Sequence, residues 1–260
     1  MKFTTWNVNS INARIDHLIK FIKIDQSDVY LLQELKCIEE KFPKQEIEKL
    51  GYKSYVNGQK AWNGVAFLSK KPLDILNNNI PTFKEDDNAR FLEAEIILEK
   101  LNKKVRLINI YLPNGNPIET SKFDYKIEWM KKFNKYILDL YNKNIPLIIG
   151  GDFNVIPNDE DVYSPENFKN DACAHPKTRE QFRILLNTGF TDTVKYFIEG
   201  NTNWTFWGYR GGGWQKGNGL RIDHFLTTPE VTDIIKDVKI NRDPRSWEKA
   251  SDHTPVILEI

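Results

Sequence analysis

The hydrophobic positions along the chain switch repeatedly between strand spacing and helix spacing. KFTTWNV, near the start, is typical of a strand, and SINARIDHLIKFIKI repeats its leucine and isoleucines at helical spacing, with Ser10 as the expected N-cap. DVYLLQE then predicts a buried strand that ends in a carboxylate. The chain therefore opens with a strand, a helix and a second strand.

Several later strands are predicted to follow one another without a helix between them. They are the apolar runs GVAFLS, FLEAEIIL and VRLINIYL. A long amphipathic helix is predicted over residues 127–140, and the strand PLIIGGDFN follows it. Next come a helix that ends at Gly189 and the strands LRIDHFLTT, IIKDVKI and TPVILEI. A doubly wound sheet would alternate strands and helices, so the pattern favours two mixed sheets packed face to face with helices outside. Because no Pro-rich or Ser-rich linker divides the chain, we expect one domain over residues 1–260.

Composition and charge narrow the class of protein. The 37 Lys and Arg residues against 36 Asp and Glu give a net charge of +1, which excludes a generally basic nucleic-acid coat but leaves room for a local basic face. The two cysteines lie far apart and predict no disulfide framework. No apolar run approaches the ~20 residues of a membrane span, and the start shows no secretory signal. We therefore expect a soluble, cytoplasmic protein that does not bind membranes.

Polar side chains recur at or just beyond the ends of the predicted strands. They are Asn7, Glu34, Tyr111, Asp152, Asn154, Asp223, Asp252 and His253. Each of them alone has a structural explanation as a turn former, a helix cap or a core residue. Loops at strand ends are nevertheless where folds carry their sites, so the shared position favours a functional interpretation.

The residue types in this set indicate the chemistry of such a site. Carboxylates, amides and one imidazole suit a hard, oxygen-ligated cation, and Mg²⁺ prefers one or two carboxylates while it keeps waters for a phosphate substrate. The absence of cysteine from the set argues against structural zinc.

The order of the motifs resembles the exonuclease III family of abasic-site endonucleases, within the endonuclease/exonuclease/phosphatase superfamily. The matching segments are WNVNSINAR, LLQELK, GVAFLSK, IYLPNG, GGDFNVIPNDEDV, GFTDT, GLRIDHFL and SDHTPV, which cover essentially the whole chain. FPKQEIEKLGY and NGQKAWNGVA are similar to the bacterial exonuclease III subgroup. The resemblance implies a four-layer, deoxyribonuclease I-like α/β sandwich. It also implies a Mg²⁺-dependent nuclease, with Mn²⁺ as a substitute, that cuts 5′ to abasic sites and trims 3′ ends of duplex DNA as a monomer.

The resemblance also suggests roles for the residues at the strand ends. Glu34, assisted by Asn7 and Asp252, would hold the metal. Asp152 would activate the attacking water, while Asn154 and Tyr111 would contact the phosphate. Asp223 would hold His253, which would face the phosphate oxygens. Whether a second metal binds near Asp152 and Asn154 stays open.

Residues around this set are candidates for binding the substrate. Arg90, Asn114, Arg210 and Trp214 would contact DNA, although Arg90 is equally well explained as solvated surface. Phe206, Leu220 and Ile222 would line a pocket for an extruded sugar that has lost its base. His175 and His224 match no role in the family and are expected to be structural.

Two other functions stay open on the sequence. One is a phosphatase or phosphodiesterase of the same superfamily that acts on lipid or small phosphoesters, and the other is a non-catalytic interaction module. YLPNG and WTFWGYR argue against the first, and the complete set of candidate ligands argues against the second. Leu220, where some relatives carry Trp, and the glycine-rich residues 211–213 leave open the balance between abasic-site cleavage and exonuclease action.

Overall fold

The computed structural model describes residues 1–200 and 202–260. In chain order its strands are β1 (Lys2–Asn7), β2 (Val29–Gln33), β3 (Lys53–Asn57), β4 (Val65–Ser69), β5 (Asp74–Asn77), β6 (Phe91–Leu98), β7 (Lys103–Tyr111), β8 (Leu147–Asp152), β9 (Thr191–Asp192), β10 (Asp223–Thr227), β11 (Asp237–Ile240) and β12 (Val256–Glu259). They form two six-stranded sheets, β11-β12-β1-β2-β4-β3 and β5-β6-β7-β8-β10-β9.

Both sheets are mixed, as the sequence predicted. β1 and β2 run parallel in the first sheet, and β7 and β8 run parallel in the second. The other neighbouring strands are antiparallel. Each parallel pair needs a crossover, and a helix supplies it in both sheets.

In chain order the α-helices of the described residues are α1 (Ile15–Asp25), α2 (Lys44–Glu48), α3 (Ser121–Asn142), α4 (Pro176–Thr188), α5 (Thr193–Phe197), α6 (Gly213–Lys216) and α7 (Pro229–Thr232). α1 packs on the outer face of the first sheet and α3 on the outer face of the second. Phe21 of α1 packs edge-on against Trp6 of the first sheet at 5.4 Å. Trp129 and Phe133 of α3 share a buried cluster with Ile149 of the second sheet. The resulting order of helix, sheet, sheet and helix confirms the predicted four-layer sandwich.

The inner faces of the sheets bury an apolar core. Phe3, Leu31 and Phe67 of the first sheet pack with Leu107 and Phe225 of the second. A buried amide pair also joins the sheets, since Gln33 Nε2 donates to Asn109 Oδ1 at 2.7 Å. This pairing satisfies polar groups that would otherwise destabilise the core.

Strand β12 lies inside the first sheet, between β11 and β1. It pairs antiparallel with β1, with Phe3 opposite Leu258. Beyond the strand, the Ile260 amide donates to the Met1 carbonyl at 2.8 Å. The first sheet therefore unites segments from the two ends of the sequence, with the whole second sheet lying between them along the chain.

Two features differ from the sequence-based expectation. Ser10 does not cap α1, which begins at Ile15, because the Ser10 and Ile11 amides donate to the Glu34 and Leu35 carbonyls. Strands β3, β5 and β9 were not predicted; all three lie at sheet edges, where the apolar alternation is weak. In the part of the chain described here, every helix is too short or too polar to cross a lipid bilayer.

Candidate active site

The predicted polar residues meet at one end of the sandwich, where strands of both sheets terminate. A cavity of about 380 Å³ lies there, lined by Glu34, Tyr111, Asn114, Asp152, Asn154, Phe168, Asp171, Cys173, Phe206, Leu220, Ile222, Asp252 and His253. Phe168, Asp171 and Cys173 were not predicted from the sequence. Their segment, SPENFKNDACAHP, has the composition of an ordinary surface loop, which hid their position.

Strand ends and left-handed turns place these side chains. Asn7, Tyr111 and Asp152 are the last residues of β1, β7 and β8. Glu34 and Asn154 follow strands with φ of 57° and 47°, conformations that cost free energy in residues other than glycine and cluster at functional sites. The turn at Glu34 is held from both sides, because its carbonyl accepts from Ser10 and the following Leu35 amide donates to Gly64.

A buried carboxylate–imidazole–carboxylate trio forms the centre of the site. The trio is Asp152, Asp223 and His253, whose ligand atoms lie within 4.8 Å of one another. His253 Nδ1 lies 2.9 Å from Asp223 Oδ2, and His253 Nε2 lies 3.7 Å from Asp152 Oδ2. The register of β10 against β8, which pairs Asp223 with Asp152, brings the two carboxylates together.

Burial and neighbouring charges shift the pKa values of this trio. Burial raises the pKa of Asp152, and the Asp223 charge adds to that rise, while His253 opposes it. Burial alone would lower the pKa of His253, but the charges of Asp223 and Asp152 outweigh it and raise that pKa. The ring is therefore held as an imidazolium, and Asp152 is a stronger proton acceptor than a solvated carboxylate.

Hydrogen bonds fix the orientation of Asp152. Its Oδ2 accepts from Asn7 Nδ2 and its Oδ1 accepts from the Asn154 amide, both at 2.9 Å. Asn154 is held in turn, because its Nδ2 donates to the Leu112 carbonyl at 2.9 Å. The carboxylate therefore faces the cavity in a single orientation.

A second polar group connects Glu34 to Asp252. Lys36 Nζ lies 3.0 Å from Glu34 Oε1 and donates to Asn9 Oδ1 at 2.7 Å. Asn9 Nδ2 donates to Asp252 Oδ1 at 2.9 Å. Asn9 and Lys36 were not predicted, although the second Asn of WNVNS and the Lys of ELK were the available signals.

The oxygen atoms of Glu34, Asp252 and Asn7 fit a hard divalent cation. Glu34 and Asp252 bring carboxylates to the cavity, and Asn7 lies at the adjacent end of β1 with an amide oxygen. Mg²⁺ takes such oxygen ligands. The trio of Asp152, Asp223 and His253 also presents ligand atoms, but the Asp223 carboxylate is already paired with the His253 ring. The Glu34 side is therefore the better place for the ion.

Tyr111 borders the cavity as a neutral phenol. Burial raises its pKa well above the ordinary value, and the charges of Glu34 and Asp152 raise it further. Arg90 packs its guanidinium 4.8 Å from the Tyr111 ring centre and donates to the Tyr111 carbonyl at 3.0 Å. Arg90, predicted as a DNA contact, thus also supports Tyr111.

The three predicted pocket residues form an apolar side of the same cavity. Backbone bridges join Phe206 to both Leu220 and His253, so the pocket adjoins the trio directly. The Phe206 ring lies 4.9 Å from the His253 ring, measured between centres. Leu220 and Ile222 are buried in a cluster to which Phe168 and Phe206 add.

The predicted DNA-contact residues divide into two groups. Asn114 lines the cavity, whereas Arg210 and Trp214 lie outside it. Arg210 is exposed, but Trp214 packs edge-on against Trp207 at 4.8 Å, with the Arg245 guanidinium 5.5 Å from its ring centre. Trp214 is therefore partly a structural residue of this loop.

The two histidines expected to be structural lie outside the cavity. His175 caps α4, accepting from the Lys177 amide. His224 belongs to a buried network around Arg221, whose Nε donates to Asp161 and whose Nη1 donates to Asp192, both at 2.7 Å. Arg221 Nη1 lies 2.9 Å from His224 Nδ1, so that nitrogen must accept.

Comparison with known proteins identifies the family. The profile of the endonuclease/exonuclease/phosphatase family matches residues 4–253. Exodeoxyribonuclease III of Haemophilus influenzae is 34% identical over 267 residues, which span 100% of this chain and 99% of that protein. The 3′ phosphatase NExo from Neisseria, solved with a product DNA hairpin, has a TM-score of 0.94 and 34% identity and covers 100% and 99% of the two chains.

An AP endonuclease from Archaeoglobus fulgidus has a TM-score of 0.91 and 31% identity, with 99% of this chain and 98% of that chain covered. These matches confirm the resemblance found in the sequence motifs. The chain belongs to the endonuclease/exonuclease/phosphatase family, within the group of hydrolytic nucleases that includes exodeoxyribonuclease III.

Proposed function

We propose that this protein is a Mg²⁺-dependent DNA-repair nuclease. It cleaves the backbone 5′ to abasic sites, leaving a 3′ hydroxyl, and trims blocked or intact 3′ ends of duplex DNA. The observation that carries this proposal is the buried trio of Asp152, Asp223 and His253, which shares one cavity with Glu34, Asp252 and an apolar pocket. Such a cavity combines groups for phosphate chemistry with room for a sugar that has no base.

The apolar pocket supports the abasic substrate. Phe206, Leu220 and Ile222 offer an apolar surface beside His253, which suits the apolar face of a base-less sugar. Extrusion from the duplex costs least where the base is already missing. The names of the relatives, an exodeoxyribonuclease III, a 3′ phosphatase and an AP endonuclease, support both the abasic and the 3′-end activities.

In this proposal Glu34, Asn7 and Asp252 would hold the metal. Mg²⁺, or Mn²⁺ in its place, would there supply positive charge for the phosphate oxygens. The oxygen atoms of Glu34, Asn7 and Asp252 are the type of ligand that Mg²⁺ prefers. Lys36 holds the Glu34 carboxylate in place, and Asn9 holds that of Asp252.

The protein's own groups perform the proton and charge steps. Asp152, oriented by Asn7 and Asn154, accepts a proton from the attacking water. The His253 imidazolium, fixed by Asp223, stabilises the charge that develops on the phosphate oxygens. The neutral Tyr111 hydroxyl and the Asn154 amide add hydrogen bonds to the phosphate.

The decisive experiment compares four substrates with Mg²⁺ and with EDTA. They are an abasic-site duplex, a duplex with a 3′ phosphate, a duplex with a recessed 3′ end, and an inositol phosphate. We expect cleavage of the DNA substrates with Mg²⁺ and none with EDTA. Turnover of the inositol phosphate alone would instead identify a small-phosphoester phosphatase, and no turnover at all would favour an interaction module.

Glu34→Ala tests the metal ligand in the same assay. We expect it to lose most Mg²⁺-dependent cleavage and to bind Mn²⁺ more weakly in a calorimetric titration. Glu40→Ala, an exposed carboxylate nearby, is the matched control and should retain both properties. Light scattering checks the expectation of a single-domain monomer.

A further inference from the structure

One wall of the cavity is polar and continuous from Asp152 to Asp171. The Asn154 amide donates to Asp152 Oδ1, and Asn114 Nδ2 donates to Asn154 Oδ1 at 3.1 Å. Asn116 Nδ2 then contacts both Asn114 Oδ1 and Asp171 Oδ2, each at 3.0 Å. We call Asn154, Asn114, Asn116 and Asp171 the polar wall. It leads from the proposed site of phosphate chemistry to a second carboxylate.

Asp171 is held firmly at the far end of the polar wall. Its Oδ1 accepts from the Cys173 amide at 2.7 Å, and its Oδ2 accepts from Asn116. Asn116 is anchored in turn, because its Oδ1 accepts from the Ala172 amide at 2.9 Å. A carboxylate has about four acceptor positions, so each Asp171 oxygen keeps free acceptor capacity while its orientation is fixed.

The same cavity also has an apolar lining. Phe168, Phe206, Leu220 and Ile222 line the same cavity and pack in one cluster. A hydrogen bond to a charged acceptor gains strength where apolar groups displace water. A ligand with an apolar face and one hydroxyl donor would therefore match this cavity.

We propose that Asp171 is a specificity-determining residue, which accepts a hydrogen bond from the C1′ hydroxyl of the base-less sugar. This inference rests on the proposed function. A sugar that has lost its base carries a hydroxyl at C1′ in its ring form, whereas an intact nucleotide carries the base there and has no such donor. Asp171 thus selects for the damaged sugar, while the apolar pocket selects against the base.

The test uses two duplexes that differ only in this hydroxyl. One carries a natural abasic site and the other carries tetrahydrofuran, which is the same sugar ring without the C1′ hydroxyl. Asp171→Ala should lower kcat/KM on the natural site, relative to kcat/KM on tetrahydrofuran, by about ten- to a hundredfold, the range for a hydrogen bond to a charged group. Asp171→Asn keeps a neutral acceptor and should show a smaller loss on the natural site alone.

Glu166→Ala is the matched control, because it removes a carboxylate from the same segment but outside the cavity lining. It should leave the ratio of the two substrates unchanged. Equal losses on both substrates in Asp171→Ala and Asp171→Asn would mean that Asp171 only supports the loop. Equal gains would mean that it only repels DNA phosphates. Either result overturns the inference about Asp171, and the proposed function still stands if the parent protein cleaves both duplexes. A parent protein that cuts neither duplex overturns the inference and the proposed function together.

Discussion

Asp252 and His253 are neighbours in the chain but serve opposite sides of the cavity. Asp252 Oδ1 accepts from Asn9 on the Glu34 side, whereas His253 Nδ1 meets Asp223 on the other sheet. Successive side chains of an extended segment point to opposite faces, so adjacency itself separates their contacts. The two residues are therefore suited to different tasks.

His253→Ala should lower kcat far more than it weakens substrate binding. The imidazolium gives most stabilisation to charge that develops in the transition state, and loss of such a group costs about 10²–10³ in kcat. Asp223→Asn should show a smaller loss, because the ring remains but is poorly held. Steady-state kinetics on abasic duplex checks both. If His253→Ala cleaves at the parental rate, Ser251, Asp252 and His253 form only a turn before β12.

Leu220→Ala should relax discrimination between abasic and intact DNA. Leu220 is buried beside Phe206, so its truncation enlarges the pocket without removing any group of the trio. The ratio of kcat/KM on abasic to that on intact duplex should fall more than kcat on abasic DNA. A proportional loss on both duplexes would count against the pocket assignment, and Leu220→Phe should shift the ratio in the opposite direction.

Sequence patterns located the candidate site residues that follow buried strands. They did not locate the residues that hold those side chains in place. Glu34, Asp152 and Asp223 stand out because a charge directly ends or interrupts an apolar run. Asn9 and Asp171 lie in segments where Asn and Asp are ordinary turn formers, so their residue type alone does not distinguish them from turn residues. Only the packing of distant segments brings Asn9 to Asp252 and Asp171 to the cavity.

Strand β8 shows how backbone geometry at the element scale sets the site. Gly151, just before Asp152, has φ of 152°, and a Cβ at this position would lie 2.0 Å from the Ile110 carbonyl oxygen of β7. Gly151→Ala must therefore separate β7 from β8 or twist the end of β8. We expect several kcal/mol of destabilisation and a loss of kcat, because Asp152 moves with the strand.

Urea unfolding and steady-state kinetics measure the two effects in Gly151→Ala. Gly200→Ala is a useful comparison, because no atom lies within 4 Å of the added Cβ although its φ is also positive. It should cost about 1 kcal/mol and leave kcat unchanged. Parental stability in Gly151→Ala would contradict the close approach of the two strands.

At the same scale, buried strands were easier to predict than edges or turns. β2 and β8 are buried along their full length and read as continuous apolar runs. β3 and β5 are sheet edges with exposed residues, and their short patterns resemble loops. Ser10 has the chemistry of an N-cap, but long-range pairing with the Glu34 turn overrides that local preference.

For the molecule as a whole, a net charge of +1 means that DNA binding depends on local basic residues. Arg210 is exposed beside the aromatic loop. Arg210→Ala should lower the slope of log Kd against log salt concentration by ~1, the value for one lost phosphate contact. Lys103→Ala is the control. Lys103 is the first residue of β7 and Tyr111, which borders the cavity, is the last, so Lys103 lies at the end of β7 away from the cavity. Equal slopes for all three proteins would remove Arg210 from the interface.

The buried His224 beside Arg221 should make one part of the fold's stability sensitive to acid. Burial and the Arg221 charge lower the pKa of His224, so the unfolded chain takes up a proton near pH 6.5 that the folded protein refuses. The contribution of His224 to the free energy of unfolding should therefore fall by up to ~2 kcal/mol as pH drops from 7 to 5, while the raised pKa values of Asp152 and His253 act in the opposite direction. Although burial opposes it, Arg221 also lowers the pKa of Asp192, whose stabilisation is lost only below about pH 4.

Urea titrations of the parent and of His224→Gln at pH 7, 6 and 5 check this expectation in the presence of EDTA. The variant lacks the titrating ring, so its free energy of unfolding at pH 5, relative to that at pH 7, should exceed the parent's. The informative quantity is the difference in slope, because the substitution itself also changes stability. Parallel profiles would show that His224 contributes nothing to the acid response.

The placement of β12 between β11 and β1 also determines when during translation this nuclease is complete. All strands of the second sheet have been synthesised before residue 256 is added, whereas the first sheet still lacks a central strand. His253 and Asp252 emerge only three to four residues before that strand, so a nascent or truncated chain has neither the imidazole nor a closed first sheet. Among the strands described here β12 is made after all the others, and it follows directly on the imidazole of the trio.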